Sequence, residues 1–221
     1  MPLDYAIARQ NMLEGQIRPN KVNMPALLDA METLPRELFV VQEQRPFAYS
    51  DNETKASSTR TLLAPMTLAR MIEALGLKSS DSVLDVAPAT GYSTALLGAL
   101  CRLAIGLEAD AGLATQAAQI CQTLHIDNVQ FIHGPISMGA KQHAPYDAIF
   151  INGAMADVPK TLFHQLVEGG RLVAVVGGEA GLKQGRVTLF TKFHGVVSDR
   201  VLFEAAASYV PGFAPHEEFT L

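Results

Sequence analysis

The second half of this 221-residue chain alternates short apolar segments with helix-like segments, and this alternation constrains the fold most. From residue 82 onward, the strand-like segments SVLDVA, RLAIGLE, NVQFIH, YDAIFING and GRLVAVVG are mostly separated by segments with helical spacing, such as GYSTALLGALC and ADAGLATQAAQICQTL. Parallel neighbours need crossover connections of a dozen or more residues, which helices supply. The pattern therefore predicts an α/β fold with a mostly parallel sheet covered by helices on both faces.

The end of the chain breaks this alternation. RVTLFTKF and SDRVLFEAA resemble two strands, and the turn HGVV joins them with no helix between. Such a pair predicts an antiparallel hairpin at the C-terminal end of the sheet. VPKTLFHQLVEGG, before the last parallel strand, predicts a helix, and Asp110 predicts an N-cap for the helix after RLAIGLE.

The first part of the chain predicts a helical extension. Residues 2–40 have helical spacing, with Asn23 as the predicted cap of PALLDAMETL. A further helix is expected to begin near Pro65 and to end at Gly76. Residues 45–61 are polar and rich in turn formers, which predicts a long surface loop of a kind that is often functional.

The length fits one domain over residues 1–221. Within it, residues 1–80 are expected to supply the N-terminal helices and the long loop. Residues 81–221 are expected to form the α/β core.

The composition disfavours several classes of protein. The chain carries 17 basic and 22 acidic residues, a net charge of −5, and its scattered basic residues disfavour nucleic-acid binding. No apolar run is long enough to span a bilayer, and the N-terminus lacks a signal-peptide pattern, so we expect a cytoplasmic protein without membrane contact. Cys101 and Cys121 are not in a CxxC pair, and the histidines lack ligand spacing, so no metal site is expected.

Four stretches together resemble the protein-L-isoaspartate (D-aspartate) O-methyltransferase family. They are METLPRELFV, VLDVAPATGYSTALL, the segment from APYDAIFING to GGRLVAVVG, and SYVPGF, and their order and spacing agree over roughly residues 8–213. The resemblance implies the Rossmann-like fold of S-adenosylmethionine-dependent methyltransferases, with that cofactor. It also implies a protein or peptide acceptor that contains altered aspartyl residues, and the apolar composition allows a homodimer.

The resemblance also assigns positions to the cofactor at the carboxyl ends of the strands. It implies that Glu108 accepts hydrogen bonds from the ribose hydroxyls. Asp85 would either orient the following turn by accepting backbone N–H groups or meet the methionine ammonium. The remaining cofactor-side positions are Ala87, Ala89, Gly91, Gly134, Ile136 and Asn152.

The turn after the first parallel strand departs from the family pattern. The family has glycines where this chain has Ala87 and Ala89, and Pro88 stands between them. An alanine at positive φ costs roughly 1–2 kcal/mol. The turn is therefore expected either to adopt negative φ throughout or to be strained.

Two further departures fall on the adenine side and the acceptor side. Gly134 is followed by Pro135 where the family has Gly-Asp, although Ile136 could still lie against the purine ring. In the loop, TRTLLAP replaces the family pattern Gly-Gln-Thr-Ile-Ser-Gln-Pro. Thr61 is retained there, whereas Leu63 takes the place of the serine on the substrate side.

Two functions follow from these residues. One is methyl transfer from S-adenosylmethionine to a carboxylate of an altered aspartyl residue or to a different acceptor. A carboxyl group with a pKa near ~4 is already ionised at neutral pH, so this reaction needs orientation rather than a general base. The alternative is a catalytically inactive member that acts as a binding or regulatory module. A nucleotide-dependent oxidoreductase is disfavoured, because the chain lacks an intact GxGxxG.

Overall fold

The N-terminal part of the protein is helical and carries one small hairpin. The structure is a computed structural model that describes residues 4–177 and 184–215. Helix α1 (Tyr5–Met12) continues through a π-helical turn (Leu13–Ile17), and α2 (Pro25–Thr33) follows. Strands β1 (Thr54–Lys55) and β2 (Thr61–Leu62) pair antiparallel, and α3 (Pro65–Leu75) comes next, ending at Gly76 with φ 55° as predicted.

The remaining strands form one sheet within the described residues. They are β3 (Ser82–Val86), β4 (Leu103–Glu108), β5 (Val129–His133), β6 (Tyr146–Met155), β7 (Leu166–Val176), β8 (Gln184–Phe193) and β9 (Val196–Ala206). Their order is β5-β4-β3-β6-β7-β8-β9, parallel from β5 to β7, with β8 and β9 antiparallel. Helices α4 (Tyr92–Leu100), α5 (Ala111–Thr123) and α6 (Lys160–His164) lie in the connections. This architecture confirms the predicted fold class, including the C-terminal hairpin.

The N-terminal helices belong to the main core. Side chains alternate between the two faces of a strand, and in β3 the side chain of Val83 faces one cluster while Leu84 faces the other. The cluster around Val83 includes Met12 and Leu27 from the N-terminal helices. The helical extension therefore covers one face of the sheet directly.

A buried arginine fixes the loop before α3. Arg36 is fully buried, and its guanidinium donates to the carbonyls of Ala48 at 2.7 Å and Leu63 at 2.8 Å. The side chain of Leu63 is 2 % exposed and lies in the apolar core. The position taken for a substrate-side serine is therefore a core position in this chain.

Three predictions about local structure are wrong. The helix predicted over VPKTLFHQLVEGG ends at His164, because Leu166 already pairs with Tyr146 in the sheet. Asn23 does not cap α2, since its side chain donates to the Lys21 carbonyl instead. The stretch 45–61 contains the end of a 3-10 helix (Gln42–Phe47), β1 and part of β2, and several of its side chains are buried, so it is not a surface loop throughout.

Candidate functional site

The sheet creates a crevice where its strand order reverses. Strand β3 lies between β4 and β6, and ligands of such folds bind outside the carboxyl ends of the strands at this point. The turn from Ala87 to Gly91 follows β3 here, Glu108 ends β4, and Asn152 lies in the second half of β6. These three elements bring most of the predicted cofactor positions together at the carboxyl ends of the strands.

Asp85 is the centre of a buried polar network. Its carboxylate accepts from Ser93 Oγ at 2.6 Å, Thr94 Oγ1 at 2.7 Å and Asn152 Nδ2 at 2.5 Å. The donors are side chains of α4 and β6 rather than the backbone N–H groups named in one of the two expectations for Asp85. Burial raises the pKa of Asp85 to about 7, against the lowering effect of its three donors. Asp85 therefore joins β3, α4 and β6 behind the turn.

The turn itself keeps left-handed geometry with alanines in it. Ala87 has φ 61° and Ala89 has φ 53°, so of the two expectations the strained one is confirmed. The Ala87 N–H donates to the Leu107 carbonyl at 2.8 Å, which holds the turn against β4. Gly91 has φ 91°, and a Cβ there would lie 2.7 Å from the Phe131 ring. Both methyl groups of the alanines are buried, so they occupy space that glycines would leave open.

Glu108 is paired with an arginine that the sequence analysis did not single out. Arg60 Nη1 donates to both Glu108 carboxylate oxygens at 2.8 Å, and Arg60 Nη2 donates to the Ala87 carbonyl. The Arg60 side chain is 6 % exposed and that of Glu108 is 1 % exposed. The carboxylate also accepts the N–H groups of Ala89, Ala109 and Asp110. Glu108 is therefore saturated by groups of the protein itself.

The guanidinium of Arg60 lies between two small cavities. One, of about 270 Å³, is lined by Glu108, Asp110, Ile136 and Pro211 together with Thr59 and Arg60. The other, of about 130 Å³, is lined by Lys55, the loop from Ser57 to Thr61, Asn152, Ser208 and Tyr209. Both are smaller than the roughly 300–1,000 Å³ usual for sites of drug-sized ligands.

The remaining predicted positions divide between the crevice and its surroundings. Gly134 donates its N–H to the Glu108 carbonyl at 3.0 Å, and Ile136 is buried at the wall of the larger cavity. Thr61 lies at the smaller cavity, where its hydroxyl donates to Glu53 at 3.3 Å. Leu63 points into the core and lies outside the crevice.

Arg60 was missed because its role depends on a contact across 48 positions of the sequence. In the loop it is one charged residue among serines and threonines, and no spacing rule connects it with Glu108. The available signal was chemical. A buried acidic side chain at a strand end needs a partner, and a basic residue in the loop before Pro65, such as Arg60, can supply it.

The fold is shared with solved Rossmann-like methyltransferases. A solved protein-L-isoaspartate O-methyltransferase superposes with a TM-score of 0.81 at 24 % identity, covering 92 % of this chain and 66 % of that one. The Plasmodium falciparum beta-aspartate methyltransferase, solved in complex with S-adenosyl-L-homocysteine, superposes with a TM-score of 0.76 at 21 % identity, covering 93 % and 97 %. At these identities the two structures establish the shared fold.

Sequence comparison then identifies the family. The family model of protein-L-isoaspartate(D-aspartate) O-methyltransferase matches residues 8–212. The protein-L-isoaspartate O-methyltransferase of Koribacter versatilis is 40 % identical over 173 residues, 78 % of each chain. A Pelobacter propionicus enzyme of the same name is 38 % identical over 175 residues, 79 % of this chain and 78 % of that one. The chain belongs to the protein-L-isoaspartate(D-aspartate) O-methyltransferase family.

The strained turn predicts an unusual response to glycine. Replacing Ala89 with glycine relieves a backbone strain of about 1–2 kcal/mol in the folded state. It also removes a buried methyl group worth about 0.8 kcal/mol. Finally, it raises the conformational entropy of the unfolded chain, which costs about 0.4–1 kcal/mol of stability. These contributions nearly cancel, so we expect Ala89→Gly to change the free energy of unfolding by less than about 0.8 kcal/mol in either direction. Ala95→Gly, at a buried position with helical φ in α4, should cost about 2 kcal/mol. Urea denaturation measures the free energy of unfolding of both variants. Equal losses of stability in the two would contradict the presence of backbone strain at Ala89.

The pKa of Asp85 predicts a pH dependence of stability. Its ordinary value is 3.8 and its value in the folded protein is about 7, so the folded state holds this proton over the interval between them. The stabilisation that this protonation gives the folded state is therefore complete below the ordinary pKa and is lost as the pH rises to the pKa of the folded protein. We expect the wild-type unfolding free energy to fall more steeply between about pH 4 and about pH 7 than that of Asp85→Asn. Asp199→Asn, at an exposed position of β9, is the control, and parallel curves for wild type and Asp85→Asn would refute the assignment.

Proposed function

We propose that this chain transfers a methyl group from S-adenosylmethionine to a carboxylate of altered aspartyl residues in proteins or peptides. The observation that carries the proposal is the position of Glu108. Its carboxylate lies at the end of β4, beside the turn that follows β3, within the region that matches the family model. Two adjacent hydroxyls of a ribose are suitable donors to a carboxylate placed in this way. The curated relatives carry the name of this activity.

The residues around the smaller cavity suit a carboxylate acceptor. Ser57, Ser58, Thr59 and Lys55 are among the residues that line it. These groups can orient an ionised carboxylate by hydrogen bonds and by the positive charge of Lys55. S-Adenosylmethionine, when bound, supplies an electrophilic methyl group. The protein then has to align the acceptor and exclude water, and no side chain has to remove a proton.

The residues as they stand do not fit the cofactor. Glu108 has no accepting position left for ribose hydroxyls, because Arg60 and three backbone N–H groups use its oxygens. Methyl transfer at this site therefore requires Arg60 to leave Glu108 first.

A second candidate function follows from this same contact. A family member that has exchanged its cofactor for an internal ion pair would keep the fold as a binding or regulatory module. The pairing of Arg60 with Glu108 favours it, since a buried ion pair completes the site without any ligand.

A methyl-transfer assay separates the two candidates. Purified protein is incubated with S-adenosylmethionine labelled in the methyl group and with a peptide that contains one isoaspartyl residue. The same peptide with ordinary aspartate is the matched control. The first candidate predicts base-labile label on the isoaspartyl peptide alone. Absence of label on both peptides and on a mixture of aged proteins, at saturating cofactor, would favour the second candidate.

A further inference from the structure

We propose that Arg60 is an internal ligand of the ribose subsite, so that the wild-type chain binds S-adenosylmethionine and its product only when this side chain withdraws. The inference rests on the proposed function, because it assigns Glu108 to the ribose. It goes beyond that function by naming the group that competes with the cofactor. The competitor belongs to the chain and is present in every molecule.

The contacts of Arg60 reproduce what a ribose diol would need from Glu108. Nη1 reaches both carboxylate oxygens at 2.8 Å, where two adjacent hydroxyls would otherwise donate. Nη2 meets the carbonyl of Ala87, the first residue of the strained turn. The guanidinium thus satisfies the acid and one carbonyl of the cofactor loop together.

Counting acceptor positions shows that the two ligands exclude one another. A carboxylate offers about four lone-pair positions. The N–H of Ala89 uses one oxygen at 2.9 Å, and those of Ala109 and Asp110 use the other at 2.9 and 3.3 Å. Arg60 Nη1 adds one contact to each oxygen, so five donor contacts already share about four positions. A ribose can bind Glu108 only by replacing Arg60.

The backbone holds Arg60 in place for this contact. Its N–H donates to Ser57 Oγ at 3.1 Å, and its carbonyl accepts from the N–H groups of Ala56 and Ser57 at 2.9 and 3.1 Å. Strand β2 begins at the next residue, Thr61. The hairpin therefore directs the side chain into the crevice without help from a ligand.

The consequence for affinity follows from the fraction of molecules in which Glu108 is free. The apparent dissociation constant equals the intrinsic one divided by that fraction. If Arg60 is in place in about 99 % of molecules, apparent affinity falls about a hundredfold. Removing the guanidinium should restore most of this factor.

Calorimetric titration with S-adenosylhomocysteine tests the proposal without turnover. Arg60→Gln removes the charge and shortens the reach, and we expect its dissociation constant to be at least about tenfold lower than that of wild type. Arg200→Gln, with the same change of charge at an exposed position of β9, should bind like wild type. Adding Glu108→Gln to Arg60→Gln should abolish the gain, because the ribose then loses its charged acceptor.

Arg60→Lys keeps a positive charge beside Glu108. It is the variant to titrate if Arg60→Gln does not fold. A lysine lacks the planar fork, so it cannot reach both Glu108 and the Ala87 carbonyl as Arg60 does. We expect an affinity between those of wild type and Arg60→Gln. Equal dissociation constants for wild type and the variants, or no binding by either variant at millimolar ligand, would overturn the proposal. Tighter binding by Arg60→Gln with no methyl transfer to any acceptor would instead overturn the proposed function and leave the role of Arg60 standing.

Discussion

The ion pair between Arg60 and Glu108 connects the parts of the molecule that meet at the crevice. Arg60 comes from the small N-terminal hairpin, Glu108 ends β4, and the Ala87 carbonyl belongs to the turn after β3. Both side chains are almost completely buried, where an unpaired charge would be strongly destabilising. The geometry of the hairpin, the strand end and the turn is therefore mutually dependent. Any ligand of this crevice has to compete with contacts that also hold the fold together.

The polar network behind the turn is arranged independently of this pair. The Asp85 carboxylate accepts hydrogen bonds from Ser93, Thr94 and Asn152, and these contacts join β3, α4 and β6 without using any atom of Arg60 or Glu108. The turn is held both by the bond from the Ala87 N–H to the Leu107 carbonyl and by its contacts with Arg60 and Glu108. The backbone scaffold of the site is thus retained, while the Arg60 guanidinium occupies the carboxylate of Glu108.

The sequence predicts the fold and the placement of the site well where the signals are local. Strand patterns locate β3 and β4 at one edge, Gly76 ends α3 in the left-handed conformation, and Asp110 caps α5 by accepting from Gly112 and Leu113. The predictions fail where partners distant in sequence decide. VEGG joins β7 because the sheet offers pairing with Tyr146, and Leu63 turns into the core because Arg36 holds its carbonyl. Arg60 was missed for the same reason, since only the folded chain brings it to Glu108.

A double-mutant cycle on the ligand-free protein tests the pairing of Arg60 with Glu108 most directly. The free energies of unfolding of wild type, Arg60→Gln, Glu108→Gln and the double variant are measured by urea denaturation. If the two side chains form a buried ion pair, their coupling energy should be about 2–3 kcal/mol, and the double variant should be more stable than the sum of the single losses implies. A coupling energy below about 0.5 kcal/mol would show that the two residues act independently, and the crevice would then be open to a ligand.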